Sequence, residues 1–356
     1  MTANLISSTK ALVVKEAGFT KVTPTGPYVD SLDPYLDLAE VAVPAPSAGQ
    51  VLVENILGNI NPSDVHFIKG EYGLPRTQGM AAGFEGVGRV IAAGEGAEGL
   101  VGKRVAYIGP TGGTGAWAQH AVIAPGSYAP VPDQLSDEDA AALFVNPLTA
   151  VGMVELAIAN SIENTREKEN GAVILTAANS QLGKLAVGYA KSRGFKTITV
   201  CRRQEAADDL AARGADVSLC SADPDFAKQM GAAIAEHKPR MMLDAVADNL
   251  AAEIFWHMPR GSRWVIYGLL DTTPTSMTQM GQFVFMKKKV EGFWLTDWFL
   301  KLPQGEQARL VMECAKRFIS GEWKTDMDEI ISLDEAHAKL PAALARPNSG
   351  KVMIRP

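Results

Sequence analysis

Cysteine is scarce in this chain: Cys201, Cys220 and Cys314 are all it has in 356 residues. They are scattered, make no C-x-x-C pair and cannot frame a disulfide scaffold, which fits a reducing compartment and leads us to expect a cytoplasmic protein. Apolar runs of membrane-spanning length are missing, so no transmembrane helix is expected. Positive charge is not in excess either, with 34 Lys and Arg against 40 Asp and Glu and a net charge of −6. That balance argues against nucleic acid or a membrane surface as the main partner. The opening MTANLISSTK has no apolar signal-peptide core and no Arg-rich character, so neither export nor organelle import is expected. What remains is the composition of an ordinary globular enzyme, 47% hydrophobic and 21% charged, at a length that suggests two domains.

Ala172 to Arg203 reads as one strand–turn–helix–strand unit. An apolar run, Ala172 to Leu175, leads into a small-residue turn, Ala177, Ala178, Asn179 and Ser180. A helix opens near Leu182, with Leu185, Ala186, Tyr189 and Ala190 at helical spacing, and a second strand spans Thr197 to Cys201. This is the layout of a dinucleotide-binding unit, in which a tight turn and a helix N-terminus approach a pyrophosphate. Glycine is depleted from the turn: on the G-x-G-x-x-G frame, Ala178 and Ser180 take the first two places and only Gly183 remains. Asn179, Ser180, Gln181, Leu182 and Gly183 are therefore the candidate phosphate-contacting residues. Also missing is an acidic residue at the end of the second strand, about 20 residues on, where it would bond a free ribose 2′-hydroxyl. Arg202 and Arg203 stand there instead, and two guanidiniums suit a 2′-phosphate. The cofactor is read as NADP(H) rather than NAD(H).

The rest of the chain frames this unit. Up to about residue 125 it is β-rich, with strand-like runs at 11–14, 51–57, 86–94, 102–109 and 116–124, and a Pro- and Gly-marked loop from Thr20 to Leu38. Ser136-Asp137-Glu138-Asp139 has capping-box-like spacing before an Ala-rich helix. From about 150 to 290 helix and strand alternate, with 241–246 and 262–268 as further buried strands, so a doubly wound parallel sheet is expected. Leu310, Val311, Cys314, Ala315, Phe318 and Ile319 share one helical face, Ser332 and Glu335 cap another helix, and KVMIRP closes as a strand. The run Lys287-Lys288-Lys289 reads as a solvated strand edge with no site role.

Several segments carry a resemblance: Asn61-Pro62-Ser63-Asp64, then Gly70-Glu71-Tyr72-Gly73, Gly83-Phe84-Glu85-Gly86, Val145-Asn146-Pro147-Leu148-Thr149-Ala150, Asn179-Ser180, Gly292-Phe293-Trp294-Leu295 with Trp298, and Gly350-Lys351. In these the chain resembles, over nearly its whole length, the medium-chain dehydrogenase/reductase superfamily, and within it the zinc-independent enoyl thioester reductases and quinone oxidoreductases. The resemblance implies an α/β protein with a GroES-like β-rich catalytic domain, 1–146 completed by 292–356, and a Rossmann cofactor domain with a doubly wound parallel sheet, 147–291. It also implies a homodimer formed through the cofactor domains. By the same resemblance, Asn61, Thr149, Phe293, Trp294, Leu295 and Lys351 join the cofactor-binding candidates. Tyr267, Gly268 and Leu269 join them as the end of a parallel strand, where ligands lie.

No metal is expected. Catalytic zinc needs three Cys, His or carboxylate ligands, and the zinc-dependent relatives place Cys where this chain has Asn61 and His where it has Phe84. Glu85 alone cannot build the site, and His66 and His120 have no partner ligands in sequence. Without a Lewis acid, simple alcohol oxidation is disfavoured. Hydride transfer to an activated acceptor needs only orientation, donors to the developing oxyanion and a proton route. In an enone or enoyl thioester, hydride adds at the β carbon, charge develops on the carbonyl oxygen, and a proton arrives at the α carbon. Tyr72, in G-x-Y-G, is the candidate catalytic phenol. Asn146 is the second catalytic candidate, its amide bonding either the cofactor ribose or the substrate carbonyl; lying before Pro147, it is expected to be non-helical. Lys69, Arg76 and Arg89 are candidates for a basic channel if the acceptor is a thioester with a nucleotide headgroup.

The expected activity is therefore NADPH-dependent, zinc-independent reduction of an activated C=C bond in a small-molecule substrate. Quinone reduction is the nearest alternative. A non-catalytic NADPH-binding protein is the alternative of another class.

Overall fold

The computed structural model describes residues 6–109, 115–165, 171–346 and 350–356. In chain order the strands and helices are β1 (Ser8–Val14), β2 (Leu36–Ala42), β3 (Val51–Asn59), α1 (Pro62–Ile68), β4 (Glu85–Ala93), β5 (Arg104–Ile108), β6 (His120–Ile123), β7 (Tyr128–Pro130), α2 (Asp137–Ala141) and α3 (Val145–Thr165). Then come β8 (Ala172–Leu175), α4 (Gln181–Ser192), β9 (Lys196–Cys201), α5 (Gln204–Arg213), β10 (Val217–Cys220), α6 (Phe226–His237), β11 (Met241–Asp244), α7 (Asn249–His257), β12 (Arg263–Ile266), α8 (Gly281–Phe285), β13 (Lys289–Gly292) and α9 (Leu295–Leu300). The chain ends with α10 (Gln304–Ile319), β14 (Met327–Ser332), α11 (Ala336–Ala345) and β15 (Lys351–Arg355). It divides into two compact units, residues 1–145 with 303–356, and 146–302.

The first unit is β-rich. Its main sheet runs β14-β15-β3-β4-β5-β7, with β6 also pairing β3, and β1 and β2 form a separate antiparallel ribbon. Leu12, Val53, Phe67, Tyr107, Trp117 and Ile354 are among the side chains of its core. Gly83, at φ +98°, lets the chain pass Trp117: a Cβ there would stand 2.5 Å from the indole Cδ1. That passage delivers Phe84 and Glu85. Ser136 caps α2 as its spacing predicts, accepting from Asp139 N at 3.1 Å. Ser332 and Glu335 bond each other at 2.8 Å, and neither side chain caps a helix. β2 begins inside the segment read as loop. Only Leu36 of its seven residues is fully buried, so the strand carries little apolar signal.

The second unit is a six-stranded parallel sheet in the order β10-β9-β8-β11-β12-β13. Counted from β8, this is the 3-2-1-4-5-6 order of the doubly wound dinucleotide fold, whose direction reverses between β8 and β11. The second boundary lies at 302/303, beyond the 291/292 drawn from sequence. β13 pairs β12, and the Phe293 and Trp298 rings, 5.9 Å apart, pack so closely on Gly152 of α3 that a Cβ there would meet Phe293 at 2.8 Å.

Lys288 corrects another expectation. Lys287 and Lys289 are exposed, but Lys288 is buried. Its Nζ donates to Phe255 O at 2.6 Å and Trp256 O at 2.9 Å, near the negative end of α7, with the Phe255 ring 5.0 Å away. Burial pushes its pKa down to about 8.

Candidate dinucleotide site and buried polar network

The carboxyl end of the parallel sheet gathers most of the cofactor candidates. Past β8, Thr176 is tied to β11 by its N–H to Leu243 O at 3.1 Å, and Ala178 to β9 by its N–H to Val200 O at 3.2 Å. Ala177, pinned in between, takes φ +44°. Ser180 N returns to Ala177 O at 3.0 Å, and Ser180 Oγ caps α4 by accepting from Gly183 N at 3.2 Å. Gly183 is required here: a Cβ would stand 2.2 Å from Ala178 O. The turn thus carries a left-handed alanine one residue before the first glycine place and a serine cap at the second, and the N-terminus of a twelve-residue helix still opens beside it. Asn179, Ser180, Gln181 and Leu182 are half-buried there.

At the end of β9, Arg202 and Arg203 are exposed. Their backbone is held by two thiols: Cys201 Sγ donates to Arg203 O and Cys220 Sγ to Arg202 O, both at 3.5 Å. Past β12, Tyr267 N donates to Asp244 O at 2.9 Å, while the Tyr267 hydroxyl is buried with no hydrogen-bond partner. Burial first, and then the Asp244 charge, push its pKa up. Gly268 lies close under Ala245, where a Cβ would meet the carbonyl at 2.9 Å, and Leu269 is exposed. Phe293 N donates to Ile266 O at 2.9 Å, and Trp294 and Leu295 lead into α9. Asn146 and Thr149 lie three residues apart in α3, on one face, and both are buried. Asn146 is helical, contrary to expectation, because Pro147 falls in the first turn, where its missing N–H costs no intrahelical bond.

Asp244 was not singled out by the sequence reading. Its signal was a lone carboxylate closing the apolar run of β11. Fully buried, it accepts from Trp264 Nε1 at 2.7 Å, Val246 N and Ala247 N at 3.0 Å each, and the Thr176 hydroxyl.

The β-rich unit carries a second constellation. Asn59 Nδ2 and Asn61 Nδ2 donate to Glu85 Oε1 at 2.7 and 2.8 Å. Glu85 Oε2 accepts from Phe144 N at 3.1 Å and Val145 N at 2.8 Å, at the opening of α3. Lys351 Nζ donates to Ile60 O at 2.7 Å and Asn61 Oδ1 at 2.6 Å. Asp64 accepts from Asn61 N at 2.8 Å and Phe84 N at 2.6 Å. All four charged or amide anchors, Asn61, Asp64, Glu85 and Lys351, are buried. Burial raises the Asp64 pKa to about 7, against the opposing pull of those two N–H donors. Burial lowers that of Lys351 to about 8, although Glu85 and Asp64 favour its charged form. Tyr72 lies alongside, its ring 5.0 Å from that of Phe84.

This donor set does not fit zinc. Of its two carboxylates, Glu85 has both oxygens occupied by N–H groups and Asp64 accepts from the backbone N–H groups of Asn61 and Phe84, and an amide and a phenyl ring stand where ligands would be needed. Of the three basic-channel candidates, Lys69 and Arg76 line one cavity together with Glu16 and Glu71. Lys69 Nζ is spent on Thr25, Gly26 and Glu71, Arg76 on Gly18, Ile68 and Glu16, and Arg89 donates to Gly102 O on exposed sheet surface. His66 pairs with Glu71 at 3.0 Å, and His120 lies 3.2 Å from the Thr9 hydroxyl.

Fold and site together define a two-unit dehydrogenase/reductase with a tight strand-to-helix turn at the switch point and, among the described residues, no cluster of metal-ligating side chains. Residues 47–133 match the model for the alcohol dehydrogenase GroES-like domain and residues 182–315 that for zinc-binding dehydrogenase. The chain is 42% identical to a Mesorhizobium loti protein assigned as an NADPH:quinone reductase, with a TM-score of 0.89 over 99% of this chain and 100% of that one. It is 30% identical over 314 residues to the mitochondrial enoyl-acyl-carrier-protein reductase of Rattus norvegicus, covering 87% of this chain and 82% of the relative. The quinone oxidoreductase of Thermus thermophilus, solved also with NADPH, shares the fold at 23% identity and a TM-score of 0.74, covering 98% of this chain and all of that one. The chain belongs to the medium-chain dehydrogenase/reductase superfamily, in which it resembles the enoyl reductases and the quinone reductases.

Proposed function

We propose that this protein is an NADPH-dependent, zinc-independent reductase of activated double bonds, acting on an enone or enoyl thioester. The observation that carries the reading is the pairing of a degenerate but intact phosphate turn with the exposed Arg202–Arg203 pair. A dinucleotide suits these residues: the α4 N-terminus and Ser180 suit a pyrophosphate, the two guanidiniums suit a 2′-phosphate, and the buried Tyr267 hydroxyl has no hydrogen-bond partner of its own. Asn61, Thr149, Gly268, Leu269, Phe293, Trp294, Leu295 and Lys351 complete the proposed cofactor contacts. When bound, NADPH supplies the hydride. Tyr72 donates a hydrogen bond to the acceptor oxygen that gains negative charge and relays a proton. The Asn146 amide holds either that oxygen or the cofactor ribose.

Quinone reduction is the second reading, favoured by the 42% identity to the Mesorhizobium protein. It also needs no basic channel for a nucleotide headgroup, and Lys69 and Arg76 are already paired with Glu71 and Glu16. A homodimer is supported by β13, an edge strand with Val290 exposed, beside Val284 and Phe285, which are 71% and 75% exposed. A cytoplasmic setting is supported by three free cysteines, and among the described residues no helix is long and apolar enough to cross a membrane. The test is acceptor-dependent oxidation of NADPH. Turnover of an enone or crotonyl thioester supports the first reading, and turnover of benzoquinone alone the second. Binding of NADPH without oxidation by any of them would leave a non-catalytic binding protein.

A further inference from the structure

Two non-glycine residues at the carboxyl end of the parallel sheet hold the left-handed conformation: Ala177 at φ +44° and Ala247 at φ +64°. For an L-residue with a Cβ this conformation is strained and persists only where its surroundings fix it. Both alanines sit in turns that follow central strands, Ala177 after β8 and Ala247 after β11. One buried carboxylate fixes both turns. Asp244 Oδ2 accepts from Ala247 N itself at 3.0 Å and from Trp264 Nε1 at 2.7 Å. Its Oδ1 accepts from Val246 N at 3.0 Å and from the hydroxyl of Thr176, the residue before Ala177. Thr176 Oγ1 accepts in turn from Ala245 N at 3.1 Å, so the two turns are laced together across the switch point. The four donors come from β12 and the two turns, and charge-assisted bonds of this kind are the strong ones.

We propose that Asp244 is a positioning residue for dinucleotide binding, a carboxylate that holds the Ala177 turn in its strained, phosphate-facing shape through Thr176. This rests on the proposal that the Ala177–Gly183 turn receives the pyrophosphate. Asp244 does not touch the cofactor; it acts through the backbone it secures. With the tether cut, alanine relaxes towards negative φ and the turn moves away from its bound shape. Glycine has no such preference and keeps the turn without the tether.

The experiment measures NADPH dissociation constants and thermal midpoints for wild type, Asp244→Asn, Thr176→Val, and each of these combined with Ala177→Gly. Asparagine keeps one accepting oxygen and loses the other, and valine removes only the Thr176 link. Each single variant is expected to weaken NADPH binding by about tenfold or more. Adding Ala177→Gly is expected to restore most of the affinity without restoring the lowered midpoint. A merely structural aspartate would lower the midpoint, and glycine would not recover affinity; that result overturns the proposal, as does unchanged affinity in both single variants. If Asp244→Asn fails to fold, the Thr176→Val pair decides alone on the same criteria. Wild-type protein that binds no NADPH would instead overturn the dinucleotide reading itself, and this inference with it.

Discussion

Lys351 Nζ donates to Asn61 Oδ1 at 2.6 Å across 290 residues of sequence, and that bond orients the Asn61 amide so that Nδ2 reaches Glu85 at 2.8 Å. The ammonium, two amides and two carboxylates form one buried network, whose members depend on each other for partners.

Removing the amine should leave Ile60 O and Asn61 Oδ1 without this donor, so Lys351→Met is expected to cost about 2 kcal/mol at neutral pH. The cost should grow with pH. Burial lowers the folded-state pKa to about 8, below its ordinary 10.5. Between those values the unfolded chain holds a proton that the folded chain has released, so the stability that Lys351 contributes rises across that window. Denaturant unfolding of both proteins should show the gap widening from pH 8 towards pH 10; a narrowing gap contradicts the assignment.

Coenzyme choice should reside in Arg202 and Arg203. Replacing both by serine removes charge-assisted bonds to a 2′-phosphate worth roughly 1.5–3 kcal/mol. The expected result is a rise in KM for NADPH of about tenfold or more with KM for NADH nearly unchanged. An equal loss with both coenzymes would mean that the substitutions disturb the end of β9 rather than a phosphate contact.

Tyr72→Phe keeps the ring against Phe84 and deletes the hydroxyl. If the phenol donates to the developing oxyanion, kcat with an enone or enoyl thioester should fall by about 10²–10⁴ while NADPH binding holds. Quinone turnover untouched by the substitution, with no thioester activity in either protein, would move the chain to the quinone reductases.

Phe285 is 75% exposed near the edge strand β13. Phe285→Glu places a charge in the proposed dimer face and should shift sedimentation from dimer towards monomer. A wild-type protein already monomeric at micromolar concentration contradicts the dimer.

What could be read from sequence was what is local. The strand at Ala172–Leu175, the second strand to within one residue, and the helix opening at Gln181 beside Leu182 all follow from an apolar run, a small-residue turn and a 3.6-residue period. The buried charges were not legible. Asp244 meets Thr176 across 68 residues, Lys288 meets Phe255 across 33, and Lys351 meets Asn61 across 290. A charged side chain reads as solvated until the fold supplies its partners. Asn146 misled for a different reason: a proline excludes the helix interior, but the first turn accepts it. β2 escaped because a ribbon with one buried residue has no alternation to detect.

Hydride transfer from NADPH to an activated acceptor is tested by following the hydride itself. NADPH carrying deuterium at the transferable nicotinamide position is mixed with crotonyl-CoA and, separately, with a simple enone. The expected result is a reduced product with one deuterium at the β carbon, formed much faster with NADPH than with NADH. NADPH that binds but is consumed by neither acceptor nor by benzoquinone would contradict it.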